Sequence, residues 1–125
     1  MARLEPRAYP GELVSVYDGD TCTLDLDLGF RTWRRTNVRL YGINCIELKD
    51  PGGRAARMHL MELVPFHRLV TVTTIEADKY GDRWLGIIIV DGTSMNEQMV
   101  IDGYAARWDG NGPKPLPTWP IGEPT

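Results

Sequence analysis

The sequence predicts one small α+β domain, a β-barrel with helices packed beside it. Its 125 residues suit a single domain, because domains cluster near ~100–150 residues. Short β-rich segments separated by turn residues dominate, one further segment has helical periodicity, and another begins with a helix-capping pattern. The resulting order, β-β-β-α-β-β-α, is typical of a five-stranded barrel of the OB type. A β-sandwich is disfavoured, because it would leave the two helices without a surface to cover.

Three strands are predicted in the first third of the chain. Residues 12–17 (ELVSVY) form a β-rich run that ends at an Asp-Gly turn. Residues 21–28 alternate, with apolar side chains from Cys22 to Leu28 on one face and polar side chains on the other. That alternation indicates a half-buried strand. Residues 32–40 (TWRRTNVRL) are predicted as the third strand.

The first helix is predicted over residues 54–64. Its apolar stripe consists of Ala56, Leu60, Leu63 and Val64, which the helical period places on one face. Residues 41–50 before it are expected to be irregular, and a Pro-Gly-Gly sequence separates them from the helix.

Two more strands and a second helix complete the predicted domain. Residues 69–75 (LVTVTTI) are β-branched, and residues 83–90 (RWLGIIIV) form the most apolar segment of the chain. Ser94 and Glu97 have the spacing of a capping box, which opens a helix to about residue 102. Residues 104–107 are candidates for a further short strand.

The composition changes after Trp108. Five of the nine prolines lie in residues 109–125, which excludes a helix or a central strand there. The sequence therefore predicts a domain over residues 1–108 and a proline-rich tail over residues 109–125. The tail is expected to be extended, either packed on the domain through Trp108, Leu116 and Trp119 or partly disordered. Proline-rich tails also serve as ligands of partner proteins.

Composition excludes several classes of protein. No apolar run approaches the ~20 residues of a membrane span, and the N-terminus lacks the apolar core of a signal peptide. These features fit an intracellular or virus-encoded protein without fixing its location. A net charge of −3 and a pI near 5.3 argue against a protein that coats nucleic acid non-specifically. Cys22 and Cys45 are expected to be reduced and buried, and no zinc-binding spacing is present.

Positive charge is concentrated in the middle of the chain. Residues 31–57 carry seven basic and two acidic residues, and eleven of the fourteen basic residues of the chain are Arg. Arginine is favoured where phosphate is bound by two parallel hydrogen bonds. A solvated basic strand and loop without a ligand is the alternative interpretation.

Three polar clusters carry groups that could act together on a phosphodiester. They are YDGDT around Asp20, RLYGINCIE from Arg39 to Glu47, and DKYGDR ending at Arg83. Each cluster alone is compatible with ordinary turn chemistry. Together, oxygens of Asp20, Asn44 and a nearby carbonyl suit Ca²⁺ or Mg²⁺. Glu47 could position or deprotonate a water, and the two arginines could hold a phosphate as negative charge builds.

The chain resembles staphylococcal nuclease and its thermonuclease-like relatives. The matching segments occur in the family's order at nearly its spacing and cover roughly residues 12–108. They are VSVYDGDTCTLDL, VRLYGINCIE, DKYGDRWLGIIIVDG and SMNEQMVIDGYA. The resemblance implies an OB-type barrel with helices and a calcium-dependent nuclease that acts on DNA and RNA.

The resemblance also implies roles for individual residues. Asp20 matches the calcium-binding aspartate, and Cys45 stands where the family uses a threonine carbonyl as a calcium ligand. Asn44 stands at the family's second calcium-binding aspartate.

Residues expected to act on the substrate follow from the same resemblance. Arg39 and Arg83 match the two phosphate-binding arginines, and Glu47 matches the general base or water-orienting group. Lys79 and Tyr80 match positions near the nucleotide.

Three departures from the family pattern keep a second function open. Asn44 removes one negative charge, which weakens a calcium site. Asp82 is an extra residue that is expected to shift the hairpin register and to place a carboxylate beside Arg83. The tail after Trp108 is rich in proline, so the family's third helix is expected to be missing or replaced. The alternative is a weakened or inactive OB-type module that binds single-stranded nucleic acid or a protein.

The expected partners are a DNA or RNA substrate and, through the proline-rich tail, a protein partner. No membrane partner is expected, and the chain is expected to be a monomer. Retention of Asp20, Arg39, Glu47 and Arg83 together favours the enzyme over the binding module.

Overall fold

The computed structural model describes residues 6–79 and 81–117 as one closed barrel with two helices. The five barrel strands are β1 (Arg7–Asp18), β2 (Thr21–Asp27), β3 (Trp33–Leu40), β5 (Leu69–Ala77) and β6 (Arg83–Val90). The remaining elements are β4 (Ile43–Cys45), α1 (Gly53–Leu63), β7 (Thr93–Ser94), α2 (Met95–Ile101) and β8 (Ala105–Arg107). The predicted fold class and the order of its main elements are confirmed.

One parallel pairing closes the barrel. The neighbouring strands run in the order β3-β2-β1-β5-β6, all antiparallel. β3 then pairs with β6 in parallel, with Asn37 opposite Arg83 and Leu40 opposite Gly86. The strands that carry Arg39 and Arg83 are therefore direct neighbours.

The alternation predicted for β2 is confirmed over most of its length. Cys22, Leu24 and Leu26 are buried inside the barrel. Leu28 is an exception, because β2 ends at Asp27 and Leu28 lies exposed in the turn that follows. The barrel interior also holds the fully buried Ile88 of β6, as expected for the most apolar segment.

Both helices lie where they are predicted. Ala56 and Leu60 of α1 and its C-cap residue Val64 are buried, and Leu63 packs partly buried against the core, which confirms the apolar stripe. Ser94 is the N-cap of α2, and its Oγ accepts the Glu97 N–H at 3.2 Å. The Glu97 carboxylate does not complete the capping box but pairs with Arg107 of β8.

Short strands account for the differences from the predicted elements. Residues 41–50 were expected to be irregular, yet Ile43–Cys45 form β4 and pair antiparallel with β8. β1 begins at Arg7, earlier than the predicted strand, because its first half pairs with β5. Neither helix of the described residues has the length and apolar composition of a transmembrane segment.

Asn96 of α2 links this helix to the closed end of the barrel. It is buried, and its amide group donates to the carbonyls of Tyr41 and Gly86 at 2.9 and 3.0 Å. Its Oδ1 accepts the Ile88 N–H at 3.2 Å. The side chain thus fixes the end of β3 against β6, next to Arg39.

Candidate functional site

A cleft of about 760 Å³ opens at the end of the barrel where β1 turns into β2. Six of the residues predicted for the site line it, and they come from four separate segments of the chain. They are Asp20, Arg39, Asn44, Cys45, Glu47 and Arg83. The fold therefore brings the predicted catalytic and metal-binding residues to one place.

Asp20 is held rigidly at the base of the cleft. Its Oδ2 accepts the backbone N–H of Cys45 at 2.8 Å and lies 3.3 Å from Arg39 Nη1. Asp20, Arg39 and Asn44 are 6%, 7% and 5% exposed. The turn can approach so closely because Gly19 has no side chain, and a Cβ there would lie 2.9 Å from Cys45 Sγ.

Asp18 is a second carboxylate beside Asp20. Its Oδ1 accepts the Asp20 N–H at 3.1 Å. Burial, and then the charge of the Asp20 carboxylate, raise the pKa of Asp18 to about 7. The cleft therefore concentrates negative charge that a cation would neutralise.

Arg39 is buried, although the predicted strand placed it opposite the apolar residues that face the core. Its Nη1 donates to the carbonyls of Leu40 and Ile43, each at 3.0 Å. Its Nη2 donates to Asn44 Oδ1 at 3.3 Å. These acceptors fix the guanidinium before any substrate binds.

Asn44 joins Arg39 to the C-terminal segment. While its Oδ1 accepts from Arg39, its Nδ2 donates to the carbonyl of Pro115 at 3.0 Å. The predicted packing of the tail on the domain thus extends to Pro115, and Pro117 is also buried. Leu116 is mostly exposed, and Trp119 lies outside the described residues.

Both cysteines are free and buried, as predicted. Burial raises the pKa of Cys22 to about 12 and also raises that of Cys45. Neither thiol is a nucleophile or a thiolate ligand near neutral pH. Cys45 contributes its backbone to the site.

Glu47 lies at the exposed rim of the cleft. Its carboxylate is 3.6 Å from Lys49 Nζ, and both side chains are mostly solvated. Its backbone is more constrained, because its carbonyl accepts the Asp50 N–H at 3.0 Å and contacts Gly53 at the start of α1.

Arg83 pairs with Asp78 across the β5–β6 hairpin. Asp82 was expected to place a carboxylate beside Arg83. In the structure, the carboxylate that pairs with Arg83 is that of Asp78. Asp82 is exposed, and its backbone carbonyl lies 3.5 Å from Asn37 Nδ2. The pairing of β5 with β6 has a register shift between Thr74 and Glu76.

A second cleft of about 440 Å³ adjoins the first. Lys79 lines it, together with Trp108 and Lys114. Tyr80, the other residue predicted to contact the nucleotide, lies outside the described residues.

The oxygen donors of the larger cleft are of the chemical type that binds a hard cation. The carboxylates of Asp18 and Asp20, the amide oxygen of Asn44 and the Cys45 carbonyl are donors that Ca²⁺ accepts. Across residues 6–79 and 81–117, no three His, Cys, Asp or Glu side chains are grouped as a metal site. The donor set is therefore suited to calcium by chemistry but holds fewer acids than a strong site has.

Sequence reasoning missed Asp18 and Lys114 as site residues. Asp18 could have been found from the Asp-Gly-Asp spacing, which places both acids at one turn. Lys114 lines both clefts, and no local pattern in the proline-rich segment reveals this placement.

Comparison with known proteins shows a relation to nuclease-type proteins. A family model described as "Staphylococcal nuclease homologue" matches residues 37–114, more than half of the chain. A "Probable staphylococcal-like nuclease CAN3" from Oryza sativa subsp. japonica is 33% identical over 72 residues. These residues are 58% of this chain and 19% of the rice protein, so the chain spans only a small part of that relative.

Proposed function

This chain belongs to the staphylococcal nuclease homologue family, and from that premise we propose that it is a Ca²⁺-dependent nuclease of DNA or RNA. The observation that carries the proposal is the cleft in which Asp20, Arg39, Glu47 and Arg83 meet. Buried carboxylates, a solvated carboxylate and two cations are the groups that metal-assisted hydrolysis of a phosphodiester requires.

The base of the cleft is proposed to hold the metal. Asp20, the amide oxygen of Asn44 and the carbonyl of Cys45 are the proposed ligands. Bound Ca²⁺ would supply Lewis-acid polarisation of a phosphate oxygen. Asp18 lies beside these donors, where its Oδ1 accepts the Asp20 N–H.

Glu47 is proposed to direct the attacking water. Its carboxylate is exposed at the cleft rim, where it can accept a proton from a water in line with phosphorus. As the new P–O bond forms, the bond to the 5′-oxygen breaks, and the leaving oxygen takes a proton from solvent.

The two arginines are proposed to offset charge on the phosphate. Arg39 is fixed by backbone carbonyls and Asn44, so its charge is in place before reaction, which is the efficient arrangement. Arg83 is partly exposed and paired with Asp78. It must exchange this carboxylate for the phosphate when substrate binds.

The same contacts favour a second candidate, a binding module that lacks catalysis. Arg39 donates to three acceptors, and Arg83 is neutralised by Asp78. Asn44 supplies no negative charge. A barrel with these properties would bind a nucleic-acid strand without cutting it.

Cleavage of labelled single-stranded DNA tests the proposal. Wild-type protein is assayed with Ca²⁺, with Mg²⁺ and with a chelator, beside the variant Glu47→Ala. The matched control is Glu12→Ala, because Glu12 is an exposed acid on β1 that does not line the cleft. Cleavage that needs Ca²⁺, survives in the control and falls by roughly 10²–10³-fold in Glu47→Ala would support the mechanism.

Absence of cutting at millimolar Ca²⁺ would reject the nuclease on this substrate. Retained binding of the strand under those conditions would establish the binding module in its place. Equal cleavage by wild type and Glu47→Ala would remove Glu47 from the mechanism.

A further inference from the structure

Residues 109–117 are held along the catalytic clefts by hydrogen bonds at both ends. At one end, the Trp108 N–H donates to the Gly42 carbonyl at 2.8 Å, and its indole N–H donates to the Asn111 carbonyl at 3.0 Å. At the other end, Asn44 Nδ2 donates to the Pro115 carbonyl. This segment, which we call the C-terminal strap, therefore has a fixed place beside the site.

The amide at position 44 makes both contacts, which a carboxylate cannot. Its oxygen accepts from Arg39 while its nitrogen donates to Pro115. A carboxylate has no donor, so an aspartate there would face the Pro115 carbonyl with an unprotonated oxygen. The presence of asparagine at position 44 therefore has a structural explanation that is independent of metal binding.

Lys114 is carried by the strap to the boundary between the two clefts. The residues that line both clefts are Arg39, Arg83 and Lys114, and each is a cation. Lys114 Nζ lies 5.6 Å from the centre of the Trp108 ring. Within the described part of the chain, Lys114 has no carboxylate partner.

We infer that Lys114 is a third phosphate-binding cation and that Asn44 positions it by holding the strap. This inference rests on the proposed nuclease function and names its substrate more closely. A nucleic-acid strand that runs from one cleft into the other must pass the three cations at their boundary. The substrate is therefore a strand with nucleotides on both sides of the bound phosphate.

Binding without cleavage tests Lys114. Fluorescence anisotropy of a short labelled single-stranded oligonucleotide is measured in chelator at several salt concentrations. Loss of one phosphate contact flattens the slope of log K against log salt by about 0.7 for a single strand. We expect this change in Lys114→Ala, together with roughly 3- to 10-fold weaker binding at low salt, and recovery of the slope in Lys114→Arg.

Arg31→Ala is the matched control, because it removes the same charge from an exposed residue in the turn between β2 and β3. That turn lies at the opposite end of β2 from Asp20, about 20 Å away at ~3.3 Å per residue. If Lys114→Ala keeps the wild-type slope, or changes it no more than Arg31→Ala does, the inference is wrong. Wild-type cleavage in Ca²⁺, measured in parallel, would then leave the nuclease itself intact.

Amide hydrogen exchange tests the role of Asn44 without substrate. In Asn44→Asp, the amides of Trp108 and Asn111, which donate to the Gly42 carbonyl and to Asp109 Oδ1, are expected to exchange at least about fivefold faster, because the strap has lost its anchor. Asn37→Asp is the control, since it makes the same chemical change at an exposed residue of β3.

Core amides of β2 serve as the internal reference for folding of both variants. Unchanged exchange of the strap in Asn44→Asp would overturn the positioning role. If wild-type protein neither binds nor cuts the strand, Lys114 and the proposed function are both rejected, and exchange still decides whether Asn44 holds the strap.

Discussion

The side chain at position 44 has two neighbours with opposite hydrogen-bonding needs. Arg39 offers N–H groups and requires an acceptor, whereas the Pro115 carbonyl requires a donor. Asparagine satisfies both, and aspartate would satisfy only Arg39. The residue that reduces the charge of the proposed calcium site is thus the one that fixes the C-terminal strap.

Asn44→Asp is expected to tighten calcium binding while it releases the strap. The added carboxylate raises the ligand charge, which should increase affinity by about tenfold or more, the equivalent of roughly 1.4 kcal/mol. Isothermal titration calorimetry with Ca²⁺ measures the change, and Asn37→Asp controls for added surface charge. No gain in affinity would show that Asn44 is not a ligand.

Residues of the candidate site could be predicted where several polar side chains lie close together in the sequence. Asp20, Arg39 and Glu47 lie near strand ends in short polar motifs, and all three line the cleft. The contact between Asn44 and Pro115 joins residues seventy-one positions apart. Such a contact follows from the path of the chain over the barrel, which no local pattern specifies.

At the scale of elements, the start of α1 sets the position of the proposed catalytic carboxylate. A Cβ on Gly53 would lie 2.0 Å from the Glu47 carbonyl oxygen, which is backbone and cannot rotate away. The Gly53 N–H also donates to the Asp50 carbonyl at 3.0 Å. The loop before the helix and the helix itself are therefore packed as one unit.

Gly53→Ala is expected to shift the backbone of Glu47 and to lower both stability and cleavage. A displacement of about 1 Å at a reacting group costs roughly 10²-fold in rate. Cleavage assays and thermal unfolding measure the two effects. Arg54→Ala is the control, because Arg54 is exposed on the same helical turn and should change stability by less than about 0.5 kcal/mol. If Gly53→Ala cleaves at the wild-type rate, the start of α1 does not set the position of Glu47.

The two helices are linked by a hydrogen-bonded contact between His59 of α1 and Asp102 at the end of α2. His59 Nε2 lies 2.7 Å from Asp102 Oδ2, and the His59 ring stacks on Tyr104 with centroids 4.1 Å apart. The hydrogen bond with His59 is the main cause that lowers the pKa of Asp102, and Gln98 adds to it. Because the pKa of Asp102 is lower in the folded state than in the unfolded state, its ionised carboxylate stabilises the fold. This stabilisation is fully present at pH values above the unfolded-state pKa of Asp102.

Asp102→Asn is therefore expected to lose stability at neutral pH and not in acid. The wild type should be about 0.5–1 kcal/mol more stable than the variant at pH 7. This difference should shrink as pH falls through the folded-state pKa of Asp102, since the wild-type carboxylate is then protonated. Urea unfolding at pH 7 and near pH 2–3 measures both values. A difference that is independent of pH would contradict a role for the ionised Asp102 carboxylate, and Glu12→Gln serves as the exposed control.

Most elements could be predicted because their hydrophobic periods are strong. The apolar stripe of α1 and the alternation of β2 both reflect burial in one core. β4 was not predicted and β8 was only a candidate strand, since each has three residues and forms by pairing with the other. Strands this short owe their structure to a distant partner, which periodicity does not record.

For the whole molecule, the core and the strap are separate parts. The buried hydrophobic side chains of the described chain lie between Leu13 and Ala105. The strap adds a hydrogen bond from Asn44 and the burial of Pro117. The predicted domain boundary at residue 108 remains a prediction.

A chain that ends after Trp108 is expected to fold cooperatively and to bind substrate weakly. Stability should fall by about 1–2 kcal/mol, because the contacts of the strap are lost while the core is kept. Circular dichroism with urea unfolding measures folding, and anisotropy measures binding to the labelled strand. An unfolded truncated chain would show that the domain extends beyond residue 108.

The parallel pairing of β3 with β6, which closes the barrel, affects when the cleft can form during synthesis of the chain. β3 meets β6 only after residues 83–86 have been added, and Asn44 meets Pro115 later still. At about 5–20 residues per second, roughly 4–15 s of translation separate Asn44 from Pro115. A half-synthesised chain carries the acids at 18 and 20 without Arg83 or Lys114 beside them. The ribosome therefore finishes nearly the whole described chain before the complete cleft can form.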